Sequence, residues 1–180
     1  MIREAQTLYG SLDSWTQWLY QLLTAYCVGS ISLCKQYDIQ PHKGLLLSGA
    51  PGIGKTAAIS HFRRKFKKLS GQLYYCHDIM NEARASDQYL EGYRKKQPMI
   101  FDDLGIEHKV KRYGNDINAM DEILYIRHRL FTQHQVASHF TTNLTITEME
   151  QRYDIRMVDR LHEMVNIIHL NRTTSYRRSP

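Results

Sequence analysis

The chain has 180 residues, of which 42% are hydrophobic and 23% are charged, and its formal net charge is +6. This length fits one domain with a small appendage, and the hydrophobic content excludes wholesale disorder. The basic balance is compatible with a nucleotide or nucleic-acid partner, although many ordinary proteins share it. No apolar run is long enough to span a membrane and no secretion signal opens the chain, so we expect a cytoplasmic protein without a membrane span.

The cysteines and histidines indicate neither a disulfide framework nor a metal centre. The three cysteines, Cys27, Cys34 and Cys76, are odd in number and form no C-x-x-C motif, so we expect free thiols in a reducing compartment. The nine histidines lack metal-ligand spacing. They are interpreted as ordinary surface or core residues.

Residues 1–40 are expected to form a helical segment that precedes the main domain. Ser11, Asp13 or Ser14 can cap a first helix, and a second short helix is predicted from Ser30 to Tyr37. The first helix has an apolar stripe along one face. This stripe favours a helix packed on the main core, while its two tryptophans leave open a role in anchoring a protein partner. The apolar residues that recur at helical spacing are Trp15, Trp18, Leu19, Leu22, Leu23 and Tyr26.

Residues 41–180 begin with a predicted strand at 44–49, and a glycine-rich loop follows it. The loop sequence Gly-Ala-Pro-Gly-Ile-Gly-Lys-Thr fits G-x-x-x-x-G-K-[ST], the P-loop, in its strand–loop–helix context. Its glycines let backbone N–H groups face an anion. Lys55 is predicted to reach the β/γ-phosphates and Thr56 to ligate Mg²⁺. The predicted nucleotide contacts are Gly49, Pro51, Gly52, Ile53, Gly54, Lys55, Thr56 and Ala57.

The helix after this loop carries an apolar face as far as Leu69 and a strongly basic opposite face. Two interpretations remain open for the basic face. It is either a solvated helix surface or a contact for nucleic-acid phosphates, which such a cluster favours through counterion release. The five basic residues are Arg63, Arg64, Lys65, Lys67 and Lys68.

The remaining elements alternate between strands and helices. This alternation predicts a parallel sheet that is covered on both faces, with functional residues where its strands end. The segment 105–115 is expected to be a loop. Strands are predicted at 73–77, 99–105, 136–143 and 165–170, and helical segments at 78–94, 117–131, 147–153 and 156–164.

Two of these strands end in polar residues that suit nucleotide hydrolysis. The apolar strand that starts at Met99 ends in Asp102 and Asp103, the pattern of a Walker B element. Asp102 is predicted to hold Mg²⁺ and Asp103 to orient and polarise the attacking water. Asn143 ends the next strand, and its amide is predicted to position the water. Alone this asparagine is a weak signal, since asparagine is common at turns.

The motifs GAPGIGKT, IFDDLGIE, HFTTNLT and YDIRMVDRLHEM, in this order, resemble those of the DnaC-type helicase loaders and the related IstB-type transposition helper ATPases. Both belong to the AAA+ superfamily, and the resemblance covers roughly residues 40–178. It implies an α/β P-loop NTPase fold of the AAA+ (ASCE) class with three α/β/α layers. The five-stranded parallel sheet would have the order 5-1-4-3-2, and the helical lid would be reduced or absent.

The same resemblance implies roles for single residues. Asn143 matches the sensor-1 position, and Arg160 matches the arginine finger that completes the active site of a neighbouring subunit. Arg156 lies one helical turn before it. Arg177 resembles a sensor-2 arginine, which would touch the γ-phosphate from the same chain.

The implied function is an ATPase of helicase-loader type, stimulated by assembly or by DNA. It would bind ATP and Mg²⁺, form an ATP-dependent homo-oligomer, bind single-stranded DNA and help to load a replicative helicase in DNA replication. The alternative is an IstB-like helper whose partner is a transposase. The DNA candidates are the basic residues at 63–68, followed by Lys109, Lys111 and Arg112.

Three points of this interpretation carry alternatives. A small-molecule kinase is disfavoured by the acidic pair and by the Thr-Thr-Asn strand end. A scaffold without turnover is disfavoured because the residues expected for hydrolysis are all present. Loaders of this type usually carry a separate N-terminal domain that grips the helicase. The sequence leaves open whether that domain is absent, is replaced by the first helix, or is missing from a fragment.

Overall fold

The computed structural model describes residues 13–86, 88–107, 110–112 and 115–172. The chain divides into two compact units, Met1–Pro41 and His42–Pro180. Within the described residues, none of the helices combines the length and the hydrophobicity that crossing a bilayer requires.

The N-terminal unit contains two helices, α1 (Ser14–Val28) and α2 (Ile31–Gln36). Asp13 caps the start of α1, where its carboxylate accepts a hydrogen bond of 2.8 Å from the Thr16 N–H. Gly29 ends α1 in the left-handed conformation, with φ at 70°. Both helices were predicted, and the cap is one of the three candidates.

The predicted apolar stripe of α1 is largely buried. The Trp18 side chain departs from this pattern, since 38% of its surface is exposed. Its ring meets Tyr37 edge-on, with 6.5 Å between the ring centroids. The fully buried members of the stripe are Leu19, Leu22, Leu23 and Tyr26.

The second unit is built on a five-stranded parallel sheet, with a separate antiparallel hairpin. The sheet order is β7-β1-β6-β3-β2. In sequence order of the five sheet strands this is 5-1-4-3-2, so the predicted fold is confirmed. The strands of the described residues are β1 (Gly44–Gly49), β2 (Gln72–Tyr75), β3 (Met99–Leu104), β4 (Val110–Arg112), β5 (Asn115–Ile117), β6 (Ser138–Thr142) and β7 (Val165–Leu170).

Helices connect these strands and cover the sheet. Two short 3-10 helices, Lys67–Leu69 and Tyr89–Arg94, precede β2 and β3. Helices α5 and α7 pack against each other, and His128 lies 2.7 Å from Glu163 across this contact. The α-helices are α3 (Lys55–Lys65), α4 (Cys76–Ala85), α5 (Ala119–His134), α6 (Ile146–Arg152) and α7 (Ile155–Met164).

The central strands are buried on both faces, as expected for a parallel sheet between two helical layers. In β1, Leu45, Leu46 and Leu47 have no exposed surface. Phe101 of β3 stacks on Phe140 of β6, with 5.3 Å between ring centroids. All five strands of the parallel sheet run the same way, so their carboxyl ends form one edge of the sheet, here called the upper edge. Their starts form the opposite, lower edge.

Two predicted boundaries around β2 are wrong. The strand ends at Tyr75, and Cys76 begins α4. The prediction extended the strand because the end of a strand and the buried start of a helix look alike in a short apolar run. The following helix ends at Ala85 rather than at residue 94. Beyond it, the 3-10 turn buries Tyr89 and Tyr93, whose hydroxyls donate to Glu122 and Glu82.

Two further predictions differ from the structure. The expected loop at 105–115 includes β4 and the first residue of β5, and Ile117, expected to begin a helix, instead pairs with Val110. Three-residue strands are too short for an alternating pattern to indicate them. Helix α3 ends at Lys65 instead of continuing to Leu69, because Phe66 adopts an extended backbone and stacks on Phe62.

Candidate active site

The loop between β1 and α3 has the geometry of a phosphate cradle. Gly52 and Gly54 have φ of 81° and 96°, a left-handed backbone that side chains strongly disfavour. Ile53 between them is fully buried and anchors the loop. Helix α3 begins directly after Gly54, so its N-terminal N–H groups and the positive end of its dipole meet the loop.

Lys55 is folded back over this loop and is nearly buried, with 5% of its surface exposed. Its ammonium donates to the carbonyls of Gly49 and Ala50 at 2.6 and 2.9 Å. It also donates to Oδ1 of Asn143 at 2.7 Å. The structure therefore brings the P-loop lysine to the residue that follows β6.

Thr56 and Asp102 form the second part of the site. The Thr56 hydroxyl lies 2.9 and 3.1 Å from the two carboxylate oxygens of Asp102, which is buried. Magnesium is usually held by one or two protein oxygens together with water and substrate phosphates. The described residues contain no cluster of three or more His, Cys, Asp or Glu side chains that would hold a metal by itself. One hydroxyl and one carboxylate thus fit Mg²⁺ bound with a nucleotide.

Asp103 has a strained backbone conformation, with φ at 58°. The register of β3 against β6 shifts between Phe101 and Leu104, so Asp103 lies within an irregularity that re-aims its side chain. Such a backbone conformation costs about 1–3 kcal/mol and persists only where the surrounding structure enforces it, and this kind of strain concentrates at functional sites. Its carboxylate lies 3.4 Å from the Asn143 amide nitrogen.

Thr141 holds the acidic pair in place, and sequence reasoning did not single it out. Its hydroxyl donates to Asp102 at 2.5 Å and accepts the Asp103 N–H at 2.9 Å. The neighbouring Thr142 hydroxyl donates to the Leu104 carbonyl at 2.6 Å. Both threonines lie in the Thr-Thr-Asn strand end, where the interpretation used only the asparagine.

Glu107 is a second residue that the prediction missed, although it lies inside the motif around the acidic pair. It is buried and accepts the Gly105 N–H at 2.9 Å. It also accepts hydrogen bonds from the Tyr153 hydroxyl and lies against the Arg152 guanidinium. Glu107 thereby ties the loop after β3 to the junction between α6 and α7.

The thiol of Cys76 is buried near the acidic pair and is affected by its negative charge. Burial raises the pKa of its thiol well above the usual range, and the negative charges of Glu107, Asp102 and Asp103 raise it further. Cys76 therefore stays a neutral thiol beside the site rather than a nucleophile. Among the described residues, Cys27, Cys34 and Cys76 form no disulfide.

The structure does not bring the α7 arginines to this group of side chains. Arg160 lies over the ring of Tyr125 on α5, 5.0 Å from its centroid. Arg156 is exposed. In the described part of the chain, no hydrogen bond or ion pair joins either arginine to Lys55 or to Asp103.

Four predicted residues cannot be placed in the same way. Arg177 and Lys109 lie outside the described residues. Lys111 lies in β4, whose backbone alone is described, and the same holds for Arg112.

A family model described as RNA helicase matches residues 45–128. This segment runs from β1 into α5 and contains the P-loop and the acidic end of β3. It covers less than half of the chain and stops before β6 and α7. No curated protein matches the chain significantly in sequence.

Similar folds occur in solved structures of replication proteins. A DnaC helicase loader shares 16% identity at a TM-score of 0.65, over 91% of this chain and 94% of that chain. A primosome component from Streptococcus pyogenes serotype M3 shares 18% identity at a TM-score of 0.61, over 88% and 81%. AMPPCP-bound DnaA from Aquifex aeolicus shares 12% identity at a TM-score of 0.57, over 89% of this chain and 48% of that chain. The resemblance to DnaC-type loaders is thus confirmed at the level of the fold.

Proposed function

We propose that this protein is an ATPase of helicase-loader type. It binds ATP with Mg²⁺, assembles side by side with further copies, binds single-stranded DNA and helps to load a replicative helicase in DNA replication. The observation that carries the ATPase is one connected hydrogen-bond network. It joins Lys55 to Asn143 and Asn143 to Asp103, and it joins Thr56 through Asp102 to Thr141. The Asp103 N–H donates to the Thr141 hydroxyl and connects the two parts.

Each member of the network has a role in hydrolysis under this proposal. When nucleotide binds, Lys55 exchanges one of its present neutral oxygen acceptors for the β/γ-phosphates, because a negatively charged oxygen is the stronger acceptor. Thr56 and Asp102 would hold Mg²⁺, which would neutralise charge that develops on the phosphates. Asp103 accepts a hydrogen bond from the attacking water and aligns it. Asn143, between Lys55 and Asp103, positions that water against the γ-phosphate.

Among the described residues, the network contains the ammonium of Lys55 but no arginine that would stabilise the charge developing on the transferred phosphoryl group. Arg160 has the right chemistry, since a guanidinium inserted there is worth about 10³–10⁵ in turnover. It lies on the surface of α7, over Tyr125, and has no described bond to the network of its own chain. We therefore assign it to the site of a neighbouring copy, with Arg156 beside it. Arg177 remains the proposed sensor from the same chain.

The role in replication draws on the fold comparison. A DnaC helicase loader matches nearly the whole of both chains, whereas the match to DnaA spans about half of that protein. We accordingly propose a replicative helicase as the protein partner. We also propose a cytoplasmic location, because free cysteines suit a reducing compartment. Residues 1–40 are proposed to act as an accessory segment to the core at 41–180.

The family-model match favours a second candidate, an ATPase that unwinds RNA. We rank it second because the match ends at residue 128 and includes neither Asn143 nor Arg160. Incubation with a labelled RNA duplex and ATP decides between them. Strand separation by the chain alone would favour the helicase, and its absence together with binding to a helicase would favour the loader.

The test of the main proposal is an ATPase assay with and without single-stranded DNA. The mass of the protein is measured in parallel with a non-hydrolysable ATP analogue. We expect slow turnover that rises with DNA and a mass above that of one chain. Lys55→Ala should abolish nucleotide binding, whereas Lys65→Ala, at the far end of the same helix, should retain it. A monomer with DNA-independent turnover that does not need Arg160 contradicts the proposal.

A further inference from the structure

The lower edge of the sheet, opposite the active site, carries the net positive charge of the molecule. We define the lower basic face by two stretches, 63–68 before β2 and 94–96 before β3. With the residues that flank them, at 63–71 and 91–98, they contain eight basic residues and one acid. Their net charge of +7 compares with +6 for the whole chain, so the remainder is close to neutral.

The fold brings the two stretches together although they are separated in sequence. Arg63 Nε donates to the Gly71 carbonyl at 2.8 Å, which fixes the end of α3 to the turn before β2. Gly71 in turn packs so closely on Pro98 that an added Cβ would lie 2.2 Å from the Pro98 carbonyl oxygen. The turns before β2 and β3 therefore form one continuous surface.

A buried arginine holds this surface from beneath. Arg127 of α5 has no exposed surface and donates to the carbonyls of Tyr93, Lys95 and Gln97 at 3.3, 3.0 and 2.9 Å. Burial lowers its pKa to about 10, so it remains charged at neutral pH. It fixes the backbone that presents Lys95 and adds a positive charge under the face.

The positive field of this region affects a neighbouring residue. His139 lies at the lower end of β6, and its pKa falls to about 3. Burial is the largest cause of the lowered pKa, and the charges of Lys68 and Arg127 lower it further, against a backbone hydrogen bond that raises it.

The exposed cations of the face are Arg64, Lys65, Lys67, Arg94, Lys95 and Lys96. Arg94 lies 3.4 Å from Glu91, but both side chains are exposed, so water screens that pair.

The lower basic face offers charge without a surface for base stacking. Phe66 stacks on Phe62 and Tyr93 is buried against Tyr74, so the rings in these stretches serve the core. Stacking on exposed rings is what distinguishes single-stranded from duplex binding in many proteins. A surface of this kind contacts phosphates alone.

We infer that the lower basic face binds the phosphate backbone of DNA, single-stranded or duplex, without reading its sequence. This inference rests on the proposed DNA binding and assigns a location to it. The four residue steps along β3 from Met99 to Asp103 separate the face from the active site by about 13 Å of strand. DNA and nucleotide thus occupy opposite edges of the sheet, and we expect the intrinsic DNA affinity of one subunit not to depend on the nucleotide.

The test measures anisotropy of labelled single-stranded and duplex oligonucleotides over a range of salt. The variant Arg64→Gln/Lys65→Gln/Lys67→Gln removes three exposed charges, and Lys35→Gln/Arg84→Gln/Arg129→Gln removes three exposed charges elsewhere. We expect the first variant to bind both DNAs about tenfold or more weakly, with the slope of log affinity against log salt reduced by about 2–3. The control should bind like the wild type. Unchanged nucleotide affinity checks that the first variant is folded.

The outcomes separate this inference from the proposed function. If the first variant binds DNA with the wild-type affinity and salt slope, the assignment of DNA binding to the lower basic face is overturned, while the proposed DNA binding itself stands. A chain that binds neither DNA overturns both. Binding to vesicles of anionic phospholipid but not to DNA would assign the face to a membrane surface and contradict the inference.

Discussion

The upper edge of the sheet and the outer surface of α7 differ in how complete they are within one chain. At the upper edge, Lys55, Asp102 and Asn143 each have hydrogen-bond partners on other elements of the same unit. On α7, Arg156 is exposed and Arg160 contacts only the half-exposed ring of Tyr125 among its described interactions. The first region has its side chains held by hydrogen bonds, whereas the second carries an arginine with no described bond to that site. This difference is the basis of the proposal that the active site is divided between two copies.

Removing Arg160 should have the largest effect on turnover if the comparison is correct. We expect Arg160→Ala to reduce the turnover of the assembled protein by about 10³-fold or more, with nucleotide affinity unchanged. The control is Arg129→Ala, which removes another exposed arginine from the neighbouring helix α5. Steady-state ATPase rates and titration with a fluorescent nucleotide measure both quantities. Equal losses in the two variants would mean that surface charge, not a finger, is responsible.

Asp103→Asn should have the next largest effect, and it acts on the complete half of the site. Asparagine tolerates the left-handed backbone, so the fold should remain while the group that polarises water is lost. We expect turnover to fall about 10²–10⁴-fold with ATP still bound. Asp38→Asn is a matched control, because Asp38 also has a positive φ, at 51°, and lies outside the site. A variant at Asp103 that hydrolyses ATP at the wild-type rate would exclude the proposed role.

Thr141→Val probes what holds the acidic pair. Valine has the same shape but leaves the Asp103 N–H and an Asp102 oxygen without the hydroxyl, which costs about 1–3 kcal/mol of stability. We expect turnover to drop about tenfold and the Mg²⁺ concentration for half-maximal rate to rise. Thr142→Val should lose similar stability, since its hydroxyl bonds a backbone carbonyl, without the change in Mg²⁺ dependence. Identical Mg²⁺ curves would limit Thr141 to a structural role.

Much of the upper edge could be predicted from sequence, because its signals are local. The P-loop requires glycines at fixed positions, and the acidic pair directly follows an apolar strand. Thr141 and Glu107 could not be identified in the same way. Their roles depend on which strand lies beside β3 and on where the α6–α7 junction packs, and neither is encoded in a short spacing. The β2–α4 boundary was missed for a different reason, since Cys76 is as apolar as a strand residue.

The smallest predicted effect concerns the fold rather than the site. The folded-state pKa of His139, about 3, lies below its unfolded value of 6.5. The unfolded chain therefore binds more protons between these values. The contribution of His139 to the free energy of unfolding is fully present above pH 6.5 and is lost as the pH drops. The loss should be about 1.4 kcal/mol per pH unit below 6.5.

Urea unfolding at a series of pH values measures this dependence. The variant His139→Gln should show a flatter profile between pH 6.5 and 5, whereas His162→Gln, at an exposed histidine, should follow the wild type. A wild-type profile that is level over this window would show that His139 is not the titrating group. Above pH 6.5 all three proteins should keep a constant stability relative to one another.

The most direct test of the divided active site is a mixing experiment. Arg160→Ala keeps an intact upper edge, and Asp103→Asn keeps an intact arginine. Each variant alone should be almost inactive. An equimolar mixture should regain measurable ATP turnover, because an intact upper edge then meets an intact Arg160 at some of the subunit contacts. A mixture that assembles, as its mass shows, yet turns over no more ATP than the two variants measured separately would contradict the account.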